Sequence, residues 1–390
     1  MKLRENKNLY FCDMQKIYLD NAATTPLNPE VIEVMCRHLS ENFGNPSSTH
    51  EFGRKARAAL ERARKNIAAC YKCSPSQVIF TSGGSEADNL VLKNAVHNWG
   101  VRRIISSRIE HHAVLHSLEA LERNEHVEVE FVRLNEFGDV DLQHLEELLS
   151  EPDKPSLVSL MLVNNEIGNV LDASEVGRIC REHDALFHSD TVQGIGHVHF
   201  DLELTPIDFI AASAHKFHGP KGVGFAIVKK GMNFEPLIHG GEQEMGTRAG
   251  TENTHSIAGM DKALSMALDN FEEDRAYVGG LKAYFIEQLK TRIQGIRFNG
   301  RSSEPEKSAF HILSVRFPKN IPMLLFNLDL KGIAASGGSA CQSGSNKGSH
   351  VLTEILDEAE AAKTSVRFSF SRHNTREEID QAIDALVELV

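Results

Sequence analysis

No run of this chain is apolar for long enough to span a membrane, and no secretory leader is recognisable, so neither a membrane anchor nor export is expected. Basic residues are in deficit. The 42 Lys and Arg against 54 Asp and Glu give a net charge of −12, which argues against nucleic acid as a partner. There is no G-x-G-x-x-G turn and no Walker lysine, which disfavours nicotinamide and nucleotide sites. Histidine is plentiful at 19 residues, yet neither His111-His112 nor His197-Val198-His199 has a third ligand at useful spacing, and no metal is expected. The six cysteines (Cys12, Cys36, Cys70, Cys73, Cys180 and Cys341) are scattered, which excludes a disulfide framework and suggests reduced thiols in a cytoplasmic protein. Cys70-Tyr71-Lys72-Cys73 has redox or metal spacing but no second pair, and reads as a helix end with two semi-buried thiols.

What remains is an ordinary globular composition, 41% hydrophobic and 25% charged over 390 residues, enough for two domains or one large one. From Tyr18 to about Gly259, short apolar runs alternate with amphipathic helical stretches, the pattern of βαβ units around a mainly parallel sheet. Strands are expected at 78–81, 103–106, 127–134, 157–163, 185–188, 207–212 and 225–228. Asn28-Pro29 reads as a cap with proline opening a helix, and 54–70 as a second helix. Beyond residue 257 the pattern becomes a long helix to Ile293, expected to break at Gly279-Gly280. Strands at 310–317 and 365–370 then flank a helix at 322–330, and a final helix covers 376–389. The expected fold class is therefore α/β. Its domains are a leader 1–15 of no assigned role, a large domain 16–259, and a smaller α+β domain 260–390 on which the N-terminal segment could also pack.

The chemistry concentrates at strand ends. Lys216 follows the apolar run 207–212 within Ser213-Ala214-His215-Lys216, and Asp190 follows 185–188. Ligands of open α/β sheets bind outside the carboxyl ends of strands. An amine and a carboxylate delivered there suit pyridoxal 5′-phosphate, whose aldehyde bonds to a lysine and whose ring nitrogen needs an acidic partner. Thr81-Ser82-Gly83-Gly84-Ser85-Glu86 joins a strand to a helix, where Gly84 and Ser85 could hold a phosphate, or could simply make a turn. His111 could lie on a flat ring or on the surface, and Asn165 could donate to a ligand or cap a turn. Arg367 alternates with Val366 and Phe368, and could clamp a carboxylate or face solvent. Cys341 stands in a Gly/Ser loop, either a mobile nucleophile or a tolerated thiol.

Taken together these segments resemble the cysteine desulfurases of the NifS/IscS type, within the class V aminotransferases. The resemblance runs nearly end to end: Tyr18–Pro26, Asn45–Ser48, Ser82–Glu86, Glu110–Ala113, Asn164–Gly168, Asp190 with Gln193, Ser213–Gly222, Gly240–Glu244, Arg248–Thr251, Ser339–Cys341 and Arg367–Ser369. It implies the type I fold of pyridoxal-phosphate transferases. It also implies Lys216 as the lysine that bonds the cofactor, Asp190 as partner of the ring nitrogen, and His111 stacked on the ring. Gln193 and Asn165 would meet the phenolic oxygen, while Ser85, Ser213 and His215 would hold the phosphate. Thr251 would reach the phosphate of the neighbouring subunit, making a homodimer. Arg367 with Asn165 would hold the substrate carboxylate, and Cys341 would accept sulfur from L-cysteine before passing it to an acceptor such as an iron–sulfur scaffold.

The ten residues from Cys341 to Val351-Leu352 look like the long loop of the iron–sulfur branch, and fit the selenocysteine-lyase-like branch less well. The stop at Val390 and the segment Gln342–Gly348 depart from common relatives, which bears on the acceptor. A class V aminotransferase, or a sulfur-carrier subunit without activity, would keep the fold; the first has no need of Cys341 and the second none of Lys216.

Overall fold

The computed structural model describes residues 16–151, 154–337 and 348–390, so the leader and Cys341 lie outside the described residues. In chain order the elements begin β1 (Ile17–Tyr18), α1 (Pro29–Glu41), α2 (Glu51–Cys70), β2 (Val78–Thr81), α3 (Gly84–His97), β3 (Arg103–Ser106) and α4 (His112–Glu125). β4 (Glu128–Phe131), α5 (Leu142–Leu149), β5 (Ser156–Ser159), α6 (Ala173–Glu182), β6 (Leu186–Asp190), β7 (Phe209–Ser213) and β8 (Gly224–Ile227) follow. Then come α7 (Thr254–Asp269), α8 (Phe271–Arg292), β9 (Arg297–Phe298), β10 (Ile312–Arg316), α9 (Leu324–Leu330) and β11 (Ile333–Ala334). α10 (His350–Ile355), α11 (Glu358–Ala361), β12 (Ser365–Ser369) and α12 (Arg376–Leu389) complete the described chain.

Seven strands form the central sheet in the order β2-β8-β7-β6-β5-β3-β4, parallel except for β8, which is antiparallel to both neighbours. β2, β3, β5, β7 and β8 are buried at every position, as a sheet covered on both faces requires. The expected strands 78–81 and 103–106 stand as read. Within the run 157–163 the strand ends at Ser159, the Leu160 and Leu162 N–H groups still donate to the His188 and Asp190 carbonyls, and Val163 then bridges Val170. Asn28 caps α1 by accepting from the Glu30 N–H at 3.0 Å, and Pro29 occupies the first turn, where a missing N–H costs nothing.

One expectation changes. The helical break falls at Asn270 instead of Gly279-Gly280, which lie inside α8. Asn270 closes α7 by bonding Met266 O through both its backbone N–H and its amide, and Glu272, Glu273 and Asp274 then favour the new helix start electrostatically. The glycines survive mid-helix because Gly280 faces open space and Gly279 passes Phe310.

Met260, Ala263 and Leu264 of α7 belong to the core of the large sheet, with Ile67 and Phe217. The second core starts at Val278 of α8 and gathers Phe285, Leu313, Phe368 and Leu386 around the antiparallel sheet β12-β10-β9. Ile17 and Leu19 join that second core through the parallel pairing of β1 with β11.

Candidate active site

The carboxyl ends of β5, β6 and β7, the start of α3 and the strand β12 surround a cavity of about 240 Å³. Gly84, Ser85, His111, Asn165, Asp190, Gln193, Ser213, His215, Lys216 and Arg367 all line it, so ten of the residues singled out in the sequence meet in one place. Thr251 does not; it is exposed in a separate recess with Ser82, Gly222 and Arg248. Cys341 lies outside the described residues, but the chain on either side of it reaches the site. Ser336 pairs with Arg367 through two backbone bonds of 2.7 and 3.2 Å. On the far side Ser349 donates to the Glu166 carboxylate, and the His350 ring nitrogen Nε2 lies 3.0 Å from the Glu110 carbonyl.

At the amine end, Lys216 stands in a single 3₁₀ turn just after β7, and its Nζ donates to the Ala22 and Ala23 carbonyls at 2.6 and 2.9 Å. Asp190 ends β6 and accepts from the Val192 N–H at 2.9 Å. Burial pushes its carboxyl up to about 6, against the opposing pull of that bond and of Lys216. Gln193 donates to the Ala22 carbonyl at 2.8 Å. His111 is the N-cap of α4, its Nδ1 accepting from the Ala113 N–H at 3.1 Å. That bond leaves the proton of the neutral ring on Nε2, and burial, aided by Lys216, lowers the imidazolium to about 4, so the ring is uncharged at neutral pH.

The phosphate-like end rests on the start of α3. Its N-cap is Gly83, with no side chain to occupy the free N–H groups, and Ser85, Ser213 and His215 stand around it. A Cβ on Gly84 would approach Val192 Cγ2 to 2.5 Å, so only glycine lets the turn pack this closely. Glu86 is held aside by the Ser82 N–H and by Arg248, each 2.8–2.9 Å away. The Arg248 segment is fixed in turn by Glu244, whose carboxylate takes both Arg64 amino groups at 2.8 and 2.9 Å and the Phe80 N–H at 2.9 Å.

At the opposite rim, Arg367 is 2% exposed. It donates to the Asn165 carbonyl at 2.7 Å and to Asp20 Oδ1 at 3.0 Å, while its Nε has no partner. Asn165 Oδ1 is likewise buried without a partner.

Sequence reading missed Asp88, Glu110 and His188. Asp88 lines the cavity one turn along α3 from Ser85, is 1% exposed, and its Oδ1 lies 3.4 Å from His188 Nε2. Burial, with Asp190 and Glu110 nearby, raises its carboxyl far above the usual range, and burial lowers His188 to about 3. Glu110 accepts from Ser107 and from the Met161 N–H, and burial raises it to about 8. For Asp88 the only signal in the sequence was a charged residue on the apolar side of a helix pattern.

A lysine and an acid at strand ends, an uncapped helix start ringed by hydroxyls, and buried polar atoms without partners fit pyridoxal phosphate. Fold and site thus describe a type I pyridoxal-phosphate enzyme. The Aminotransferase class-V family model matches residues 17–382, and the chain belongs to that family. Within it, the chain is 40% identical to the putative cysteine desulfurase IscS 1 of Bacillus subtilis, over 97% of this chain and 99% of that one. Among solved structures, a NifS-like protein superposes with a TM-score of 0.87 at 35% identity, covering 96% and 99% of the two chains. Another, described as SspA in complex with cysteine, gives 0.79 at 31% identity over 93% and 100%. Among the described residues no helix is long and apolar enough to cross a membrane, and no cluster of three or more His, Cys, Asp or Glu could hold a metal.

Proposed function

We propose that this chain is a cysteine desulfurase that takes sulfur from L-cysteine onto Cys341 and releases L-alanine. The observation that carries this reading is the convergence of Lys216, Asp190, His111, Asn165, Gln193 and Arg367 on one cavity, with the chain on both sides of Cys341 attached to its rim. Bound pyridoxal phosphate supplies an electron sink for carbanion chemistry at the substrate α-carbon.

Arg367 receives the substrate carboxylate as a planar fork, assisted by the Asn165 amide. Lys216 would tether the cofactor covalently, and its amine, when free, would take the substrate α-proton. Asp190, ionised at neutral pH, would hold the proton of the ring nitrogen. His111 would offer its neutral ring and an N–H to the cofactor, and Gln193 and Asn165 would supply partners for its phenolic oxygen. Gly84, Ser85, Ser213 and His215 would hold the phosphate. The Cys341 thiolate attacks the substrate sulfur. One S–S bond forms as the carbon–sulfur bond breaks, its electron pair stays with carbon, and reprotonation gives alanine beside a Cys341 persulfide.

Further parts of the reading concern assembly and place. Thr251, exposed and away from its own cavity, reaches the phosphate of a second copy in a homodimer, and the exposed Phe43 and Phe52 rings, 5.3 Å apart, offer apolar surface for that contact. The acceptor of the persulfide sulfur is a protein such as an iron–sulfur scaffold. Persulfide chemistry and free thiols suit the reducing cytoplasm.

The test is sulfide and alanine release from L-cysteine by the purified chain and by Cys341→Ala. The variant is expected to keep its cofactor and release no sulfide; unchanged release would remove Cys341 from the mechanism. Sedimentation of the loaded protein as a monomer would end the assignment of Thr251.

A further inference from the structure

The segment Asp20–Ala23 touches both ends of the cavity. The Ala22 and Ala23 carbonyls hold Lys216, and the Asp20 carboxylate holds Arg367. We infer that Asp20 is a positioning residue for the substrate carboxylate: it aims the Arg367 guanidinium and offsets its charge, so that a carboxylate is seated firmly yet can leave. This rests on Arg367 being the carboxylate clamp.

The guanidinium is planar, so bonds at two of its nitrogens fix its orientation. One goes to the Asn165 carbonyl at 2.7 Å and the other to Asp20 Oδ1 at 3.0 Å, leaving the buried Nε without a partner. Losing the Asp20 contact frees the group to rotate about its remaining bond.

The position of Asp20 is itself set by strand β12. Asp20 bridges Ser369, two residues beyond Arg367, and the Ala22 N–H donates to Ser369 Oγ at 2.8 Å. The Asn21 amide donates to the Ser369 carbonyl at 2.9 Å, and the Leu19 N–H to the Ala334 carbonyl at 2.9 Å. With so many backbone anchors, the segment does not need the Asp20 carboxylate to stay in place. A buried ion pair also adds little net stability over an apolar replacement, so anchoring does not explain a carboxylate here.

Charge explains it better. Substrate and product both carry an α-carboxylate, and a buried guanidinium with no counter-charge would bind the two tightly alike. Such uniform binding does not help turnover. Asp20 shares the positive charge and weakens the grip on product, while its hydrogen bond keeps the geometry that substrate needs.

The two roles separate by substitution in the cofactor-loaded protein, read by the dissociation constant of L-alanine from the cofactor's visible absorbance, alongside KM and kcat for L-cysteine. Asp20→Ala loses the aim, and both the alanine constant and KM are expected to rise roughly 10-fold or more with kcat changed less. Asp20→Asn keeps an acceptor and removes the charge, and alanine is expected to bind about 3-fold tighter or more, with kcat falling as release slows. Asp20→Glu keeps the charge but moves its oxygens by one methylene, and weaker alanine binding is expected; it serves where the alanine variant does not take up cofactor. Arg367→Ala is the control. If it weakens alanine binding while Asp20→Ala and Asp20→Glu do not, the inference on Asp20 is wrong and the clamp stands. Equal weakening by Asp20→Asn and Asp20→Ala also overturns it. If Arg367→Ala leaves alanine binding unchanged, the clamp and the inference fall together.

Discussion

The two ends of the cavity are built in different ways. The end with Lys216 and Asp190 rises from adjacent parallel strands of one sheet, β6 and β7, whose register puts Asp190 opposite Ala211. The end with Arg367 is assembled from three places far apart in the chain: Asp20 after β1, Asn165 after β5, and Arg367 itself on a strand of the second sheet. A continuous ladder of hydrogen bonds fixes the first geometry. The second depends on how the two cores meet, since Ile17 and Leu19 pack in one core while Ala22 packs in the other. On the proposed function, cofactor chemistry falls to the rigid end and substrate recognition to the composite end.

Substitutions should respect that division, and the largest effect tests the rigid end. Lys216→Ala should lower turnover by roughly four orders of magnitude or more. Borohydride reduction followed by peptide mapping should label Lys216 in the unaltered chain and nothing in the variant. A label on another residue would dissolve the comparison.

Arg367→Lys should cost about 10- to 100-fold in kcat/KM for L-cysteine, with cofactor content unchanged, because a point charge cannot reproduce the bidentate fork. Loss of cofactor in that variant would mean that the composite end also holds the rigid one.

A pH profile sharpens the contrast further. In the cofactor-free chain Asp190 takes up a proton as pH falls through about 6, so cofactor uptake should weaken below that value, and Asp190→Asn should be poorly active throughout. An acid limb unchanged in position in Asp88→Asn would assign the limb to Asp190 and not to the neighbouring buried acid.

The smallest effect concerns stability of the cofactor-free chain. The Asp190 carboxyl is raised to about 6 by burial, so above that pH the native state carries an ionised group that the unfolded state solvates better. Asp190→Asn should therefore stabilise the cofactor-free chain at pH 7–8, on the order of 1–3 kcal/mol by denaturant titration. That advantage should shrink as pH falls through 6 towards 4, where the native carboxyl is already neutral. A gain that grows on acidification would contradict the burial argument.

Sequence periodicity made the strands of the central sheet legible because buried strands read as unbroken apolar runs and their ends carry the polar residues. Asn28 with Pro29 marked the start of α1 for an equally local reason. Asp88 was not legible, since an acid in the helix 84–97, like Glu86 before it, looks like surface until the sheet covers it. Nor was the break at Asn270, where an amide reaching back to Met266 outweighed two glycines that the helix could absorb.

The order of residues by itself determined the class of chemistry: an amine, an acid, a glycine turn and a lone thiol in positions that only strand ends and loops supply. Tertiary structure alone decided that Asp20, Asn165 and Arg367 meet, that Asp88 and His188 lie together under the cavity, and that Thr251 stays out of it. Local patterns record which way a side chain faces. Contacts between segments 100 to 347 residues apart depend on how whole layers pack, and no local pattern carries that information.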